Sequence, residues 1–221
     1  MLRGLIVVSG LVFILLNGLQ PAQAQHQTFL EEVANGQAET VLNRIAKDML
    51  LLEARDAEGN TPLLIAARNG HVSLVRDLLA IGADVNALNN KARDILNIAT
   101  TTRTPELARI ALAAGADPTM VTSVYRGSAL IYSSARGQVE IVRMLIEAGA
   151  PLNRINAIGW TALLEAVILG DGSQPYVEIV SLLLDAGADR DQADRDGLTP
   201  LDHARQKGYG ALVRLLVRQG E

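Results

Sequence analysis

The chain has 221 residues, of which 49% are hydrophobic, and its 20 basic and 24 acidic side chains give a formal net charge of -4. This much apolar material excludes a disordered chain, and the lack of a basic surplus argues against nucleic acid as a partner. The chain contains no cysteine, which excludes disulfides, thiolate metal sites and a cysteine nucleophile.

The first 24 residues have the pattern of a signal peptide. Arg3 supplies a positive charge, residues 5–16 are almost all apolar, and Ala22 and Ala24 form the small-residue pattern of a cleavage site. We therefore expect cleavage after Ala24. Because the apolar run is shorter than the roughly 20 residues of a membrane-spanning helix, the mature chain is predicted to be free of the membrane. In a Gram-negative bacterium it would be periplasmic.

Residues 25–55 come next and weakly match a repeated sequence pattern that is clear from residue 56 onward. Val33-Ala34-Asn35-Gly36 and Val41-Leu42 keep that pattern, while charged side chains make one side of the segment polar. A polar outer side is what the end of a stack of repeats requires. We predict that residues 25–55 form a degenerate N-terminal capping repeat.

Two series of residues recur with nearly the same period through the rest of the chain. The leucines step by 33, 34, 33 and 38 residues, and a series of glycines that starts at Gly82 steps by 33, 34, 38 and 33. The leucines are Leu63, Leu96, Leu130, Leu163 and Leu201. Such a period predicts five repeats, at 56–88, 89–121, 122–155, 156–193 and 194–221.

Each repeat contains the signals of two short helices. Thr61 can cap a helix whose first residue is Pro62, and Gly70 can end it in a left-handed turn. A second apolar stripe then follows from Val72 to Gly82 with helical spacing. The capping position is occupied in the other four repeats by Asp94, Ser128, Thr161 and Thr199.

The first full repeat resembles the ankyrin repeat along its whole length. Its sequence includes Gly59-Asn60-Thr61-Pro62-Leu63, Ala66-Ala67, Gly70-His71 and Gly82-Ala83-Asp84-Val85-Asn86. The resemblance implies an all-α solenoid of stacked helix–turn–helix units joined by hairpin-like loops. It also implies a protein-binding module that performs no chemistry and needs no cofactor.

Three repeats depart from the pattern. In the second, Ala92 and Arg103 replace turn glycines, and the third has one additional residue before Ser128. The fourth is longer by five residues, at 171–175, between its two helices. We expect this surplus to form a surface loop, either without a role or in contact with a partner.

The sequence lacks the usual signatures of enzymes. It has no G-x-S-x-G elbow, no phosphate-binding loop and no H-E-x-x-H motif. We assign His71 and His203 to hydrogen bonding within the repeat framework, since the sequence near each contains no recognisable nucleophile or base for catalysis. The acidic run from Asp189 to Asp196 superficially resembles a calcium loop, but Gln192 stands at a ligand position, so an ordinary loop is favoured and no metal site is predicted.

The resemblance places the partner-binding surface on the hairpin tips and on the concave face of the first helices. In the fourth repeat these positions are unusually apolar, and the hairpin before it adds an aromatic and a basic side chain. Aromatic and arginine anchors among apolar neighbours are typical of interface hot spots. The candidate partner-binding residues are therefore Tyr125, Arg126, Ile158, Trp160, Ile168 and Leu169.

The sequence thus predicts a monomer that binds, inhibits or protects another exported protein. Acidic residues at two tips, Glu58 and Asp196, favour a partial basic surface on that protein, a preference weakened by Lys91, Arg126 and Arg195. Two alternatives stay open from the sequence. One is a membrane-tethered scaffold that retains its N-terminal helix, and the other is an enzyme without a recognisable motif.

Overall fold

The structure is a computed structural model that describes residues 21–217. Within this range the chain forms twelve α-helices and one 3-10 helix, Met49–Glu53, and no strand. The helices are α1 (Pro21–Ala34), α2 (Ala38–Lys47), α3 (Pro62–Arg68), α4 (Val72–Ala80), α5 (Ile95–Thr102), α6 (Pro105–Ala113), α7 (Ala129–Ala135), α8 (Val139–Glu147), α9 (Ala162–Ile168), α10 (Gln174–Asp185), α11 (Pro200–Gln206) and α12 (Gly210–Leu216).

The helices are arranged as stacked pairs. Each odd-numbered helix packs on the helix that follows it and on the odd-numbered helices before and after it, and the even-numbered helices form a second row in the same way. The apolar core lies between the two rows, with Leu63, Leu96, Leu130 and Leu163 almost completely buried. The all-α solenoid that the sequence predicts is confirmed.

In each of the five full repeats, one short polar side chain caps the start of the first helix. Asp94 accepts a hydrogen bond from the backbone N–H of Asn97 at 2.7 Å, the shortest of the five capping hydrogen bonds. Satisfying an otherwise unpaired backbone donor stabilises the helix start by about 1 kcal/mol. Thr61, Ser128, Thr161 and Thr199 accept from the residue three positions later in the same way.

The second repeat keeps the turns of its neighbours although it lacks their glycines. Ala92 has φ of 51° and Arg103 has φ of 55°, and the equivalent Gly59 and Gly70 both have φ of 77°. The left-handed region costs a residue with a Cβ about 1 kcal/mol, a cost that glycine does not carry. The stacking of the repeat therefore imposes the turn on residues that disfavour it.

Replacing both residues by glycine is expected to stabilise the protein. Each of Ala92→Gly and Arg103→Gly removes about 1 kcal/mol of backbone strain, partly offset by the larger freedom of glycine in the unfolded chain. We expect a gain of about 1 kcal/mol for the double variant, measured by urea unfolding. Ala114→Gly, at a helix C-cap with φ of -86°, is the control and should destabilise.

The surplus of the fourth repeat is only partly a loop. Asp171, Gly172 and Ser173 form the turn, in which Asp171 Oδ1 accepts the N–H of Ser173 at 2.9 Å. Gln174 and Pro175 instead begin α10, which has 12 residues where α4, α6 and α8 each have 9. Proline is favourable in the first helical turn because its missing N–H would be unpaired there, so the expectation of a loop throughout 171–175 is corrected.

Most of the predicted signal peptide lies outside the described residues. The proposed cleavage positions Ala22 and Ala24 fall in the first turn of α1, and cleavage there stays a prediction. Among the helices of residues 21–217, none has the length and apolar character needed to cross a membrane.

Candidate protein-binding surface

The loops between repeats form one continuous row of hairpins along the solenoid. Each hairpin is hydrogen-bonded to the next, so the tips are held at fixed distances from one another. The bonds join Asn90 N to Glu58 O at 3.0 Å, Ser123 N to Ala92 O at 2.7 Å, Ala157 N to Tyr125 O at 2.8 Å and Arg195 Nη2 to Ala157 O at 2.6 Å.

The fourth hairpin is shaped by the side chain of Asn156. Its Oδ1 accepts the backbone N–H groups of Ile158 and Trp160 at 3.1 and 3.0 Å, and its backbone N–H donates to Trp160 O at 3.0 Å. Gly159 completes the turn with φ of 92°. Backbone geometry fixed in this way lets the side chain at the tip be presented without a further loss of loop entropy on binding.

The candidate residues differ in how open they are to solvent. Tyr125 is 66% exposed, Leu169 56% and Ile158 46%, and Arg126 is also exposed. Trp160 and Ile168 are half-buried. Most of the apolar area that a partner could cover therefore belongs to Tyr125, Ile158 and Leu169 rather than to the tryptophan.

Val124 belongs to the same surface, although the sequence did not single it out. It is 73% exposed and precedes Tyr125 at the tip of the third hairpin. This tip contains the additional residue of the third repeat, and the bridge between Thr122 and Gly127 closes it. The extra residue was the signal that could have drawn attention to Val124. Because hairpins three and four are hydrogen-bonded side by side, Val124 and Tyr125 lie next to the hairpin that carries Ile158.

In each of repeats three to five, one polar side chain of the first helix is hydrogen-bonded to the hairpin of the same repeat. In repeats one and two the same helix position carries Ile65 and Ile98. These hydrogen bonds join Tyr132 to Ser123, Glu165 Oε1 to Asn156 Nδ2 at 2.7 Å, and His203 Nε2 to Asp194 Oδ2 at 2.7 Å. The framework role predicted for His203 is thus confirmed.

His71 links neighbouring repeats. Its Nε2 lies 2.8 Å from the carbonyl oxygen of Ala34 in the capping repeat. This agrees with the inter-repeat hydrogen bonding expected of it. The carboxylate of Asp189 accepts the N–H of Asp191 at 3.0 Å, as in an ordinary loop.

Glu165 has the most perturbed environment beneath this surface. It is only 6% exposed, and its Oε2 has no hydrogen-bond partner among the residues that the structure describes. Burial raises the pKa of Glu165 to about 7, against the opposing effects of the Asn156 hydrogen bond and the positive charge of Arg136. This burial could not be predicted from the sequence, since a glutamate in a short helix carries no signal of burial by itself.

The stacked helix pairs, the hairpin row and the concave first helices define an α-solenoid repeat protein. Family profiles place it more narrowly, because the profile for three copies of the ankyrin repeat matches residues 96–189 and the single-repeat profile matches residues 58–90. The chain is also 33% identical over 166 residues to the ankyrin repeat protein YahD of Escherichia coli K12, covering 75% of this chain and 82% of that protein. The chain therefore belongs to the ankyrin-repeat family.

Solved structures agree with this assignment. An ankyrin repeat domain from Acinetobacter baumannii is 42% identical, with a TM-score of 0.81 over 86% of this chain and 95% of that one. A chain from the complex of a predatory endopeptidase of Bdellovibrio bacteriovorus with its immunity protein has a TM-score of 0.72 at 23% identity, over 85% of this chain and 95% of that one. The latter likeness is one of fold. Two other curated relatives are matched over only part of their length: the chain covers 11% of one and 37% of the other.

The family is in general a non-enzymatic protein-interaction module, and this chain is accordingly a protein-binding module of the ankyrin type. Its hairpin row and concave face are the surfaces available for that task.

Proposed function

We propose that this chain is exported and binds another protein of the cell envelope, which it inhibits or protects, while performing no chemistry itself. The observation that carries the proposal is the set of exposed apolar side chains on hairpins three and four, which are hydrogen-bonded side by side, together with one at the C-terminal end of α9. These are Val124, Tyr125, Ile158 and Leu169. Large exposed apolar side chains that lie close together on a protein surface are characteristic of interaction sites.

The remaining surface supports a stable complex. A standard interface buries about 1,600 Å² in total, or about 800 Å² on each partner. The accessible surface of the described chain is 12130 Å², so such an interface would use only a small part of it. Rigid hairpins lower the entropy cost of binding, and an apolar centre with a polar rim supplies the favourable term.

The envelope location rests on the N-terminal pattern. Arg3, the apolar run 5–16 and the alanines at 22 and 24 match a cleavable signal. Protein recovered from the periplasm is expected to begin at Gln25 by N-terminal sequencing. A chain that still begins at Met1 and needs detergent would instead favour a membrane-tethered scaffold.

Inhibition or protection is the form of binding that we favour. The fold neighbour from Bdellovibrio bacteriovorus comes from a complex of an endopeptidase with an immunity protein. It motivates the proposal that this chain binds another exported protein and restrains its activity.

An affinity capture from a periplasmic extract tests the proposal. The mature chain is compared with an Ile158→Ala/Trp160→Ala variant, and Met49→Ala/Leu50→Ala serves as a matched control, since Met49 and Leu50 are exposed apolar residues in the capping repeat, away from hairpins three and four. We expect one protein, identified by mass spectrometry, to be captured by the mature chain and by the control only. Capture by all three would place the binding surface elsewhere, and capture by none would contradict the binding function.

A further inference from the structure

A small groove lies on the concave side between hairpins two and three and helices α5 and α7. Its volume is about 170 Å³. Among the residues that the structure describes, the basic side chains of Lys91, Arg93 and Arg136 line it and no acidic side chain does. Other residues with polar side chains that line it are Asn97, Thr101, Ser123, Tyr125 and Tyr132.

Two cations of this groove lack the ion-pair partners that the arginines of several second helices have. The side chains of Lys91 and Arg93 make no ion pair or hydrogen bond to the residues that the structure describes. On the second helices, by contrast, arginines of one repeat are paired with glutamates of the next. Those pairs are Arg76 with Glu106, Arg109 with Glu140 at 2.5 Å, and Arg143 with Glu178 at 2.7 Å.

Arg136 is held in position without being neutralised. Its Nη1 donates to the carbonyl oxygen of Tyr132 at 3.2 Å, and its guanidinium lies 5.4 Å from the centre of the Tyr132 ring. Glu165 is the carboxyl group on which its charge acts, but burial raises the pKa of Glu165 to about 7 and so disfavours the ionised form that would neutralise Arg136. The positive charge of Arg136 is therefore still available to a ligand.

We propose that the groove binds the carboxylate of an acidic side chain that the protein partner inserts between hairpins two and three. This inference rests on the proposed binding function and specifies the chemistry of the partner. Unpaired guanidinium and ammonium groups form strong charge-assisted hydrogen bonds with carboxylates. Small-molecule sites usually have 300–1,000 Å³, so a groove of about 170 Å³ fits a side chain rather than a cofactor.

The groove and the apolar surface form one interface. Val124 and Tyr125 line the groove and also belong to the exposed apolar group. A partner that covers the apolar tips with an acidic residue at its edge would thus fill both. The acidic tip of the first repeat does not compete for a basic partner, because Glu58 is already paired with Arg68 at 2.7 Å.

A titration followed by NMR tests this assignment without the natural partner. A short peptide of glutamates is added to the mature chain at low salt, and the amide signals of residues 89–93 and 122–136 are followed. Peptides of glutamine and a short oligothymidylate are the comparison ligands. The charge-removing variant is Lys91→Gln/Arg93→Gln, and Arg205→Gln/Lys207→Gln in the fifth repeat is the control with the same loss of charge.

The glutamate peptide is expected to shift the groove signals to saturation, with an affinity about tenfold lower in Lys91→Gln/Arg93→Gln and unchanged in the control. Equal shifts with the glutamine peptide, or equal affinity in the two variants, would overturn the proposal. Tighter binding of oligothymidylate to the same signals would overturn it in favour of nucleic acid. The titration involves neither Ile158 nor the natural partner, so its failure would remove the groove assignment and leave the apolar surface untouched. Failed capture from extracts would remove the protein partner, while the affinity of the groove for carboxylates would still be measured by the titration.

Discussion

Replacing Ile158 by aspartate is expected to weaken binding of the captured partner about a hundredfold, which corresponds to about 2.7 kcal/mol. Ile158 is 46% exposed at a tip whose backbone is fixed by Asn156. The change removes apolar contact area and places a charge where the partner would desolvate it, and both effects are large at the centre of an interface. Isothermal titration calorimetry with the purified partner measures the loss.

A matched control separates recognition from general surface effects. Leu50→Asp makes the same chemical change at a residue that is 79% exposed on the 3-10 helix of the capping repeat. We expect it to bind the partner like the unaltered chain. Both variants should keep the melting temperature, because Ile158 and Leu50 are exposed side chains outside the buried core. An equal loss in both would mean that hairpins three and four are not the binding centre.

The stability of the protein is expected to fall as the pH rises from 4.5 to 7. Glu165 has its pKa raised from 4.5 to about 7 in the folded state. Between these values the unfolded chain ionises while the folded chain keeps its proton, so the folded state is progressively disfavoured; above pH 7 both are ionised and the loss is complete. At about 1.4 kcal/mol for each pH unit, the full shift corresponds to an upper limit of about 3.5 kcal/mol.

Urea unfolding at several pH values measures this loss, and Glu165→Gln isolates its source. Asp94, whose pKa burial raises to about 6, adds a smaller loss in the same direction at lower pH in both proteins. The difference between the two profiles therefore belongs to Glu165 and should grow from pH 4.5 to pH 7. Parallel profiles would show that Glu165 is not the group responsible.

The repeat architecture could be predicted because its causes are local. A capping residue such as Thr61, a proline at the first helical position and a glycine at the turn each act within a few residues. Their recurrence every 33 or so residues identifies the stack. Even the substitutions at Ala92 and Arg103 do not alter the turns, since neighbouring repeats on both sides hold the second repeat in register.

The details of the surface could not be predicted, because they depend on contacts between repeats. The burial of Glu165 and the half-burial of Trp160 follow from packing against neighbouring hairpins and helices. The groove at Lys91 and Arg93 requires Arg136, which lies more than forty positions further along the chain. The sequence suggested a weak preference for a basic partner from the tips, whereas the concave side provides unpaired positive charge.

Site-specific photocrosslinking in living cells tests the binding surface most directly. A benzoylphenylalanine is introduced in turn at Tyr125, Ile158 and Leu169, and for comparison at Leu50 and Ile81, which are exposed outside hairpins three and four. We expect an adduct with one partner protein from the first three positions and none from the other two. An adduct confined to position 50 or 81, or none from 125, 158 and 169, would contradict it.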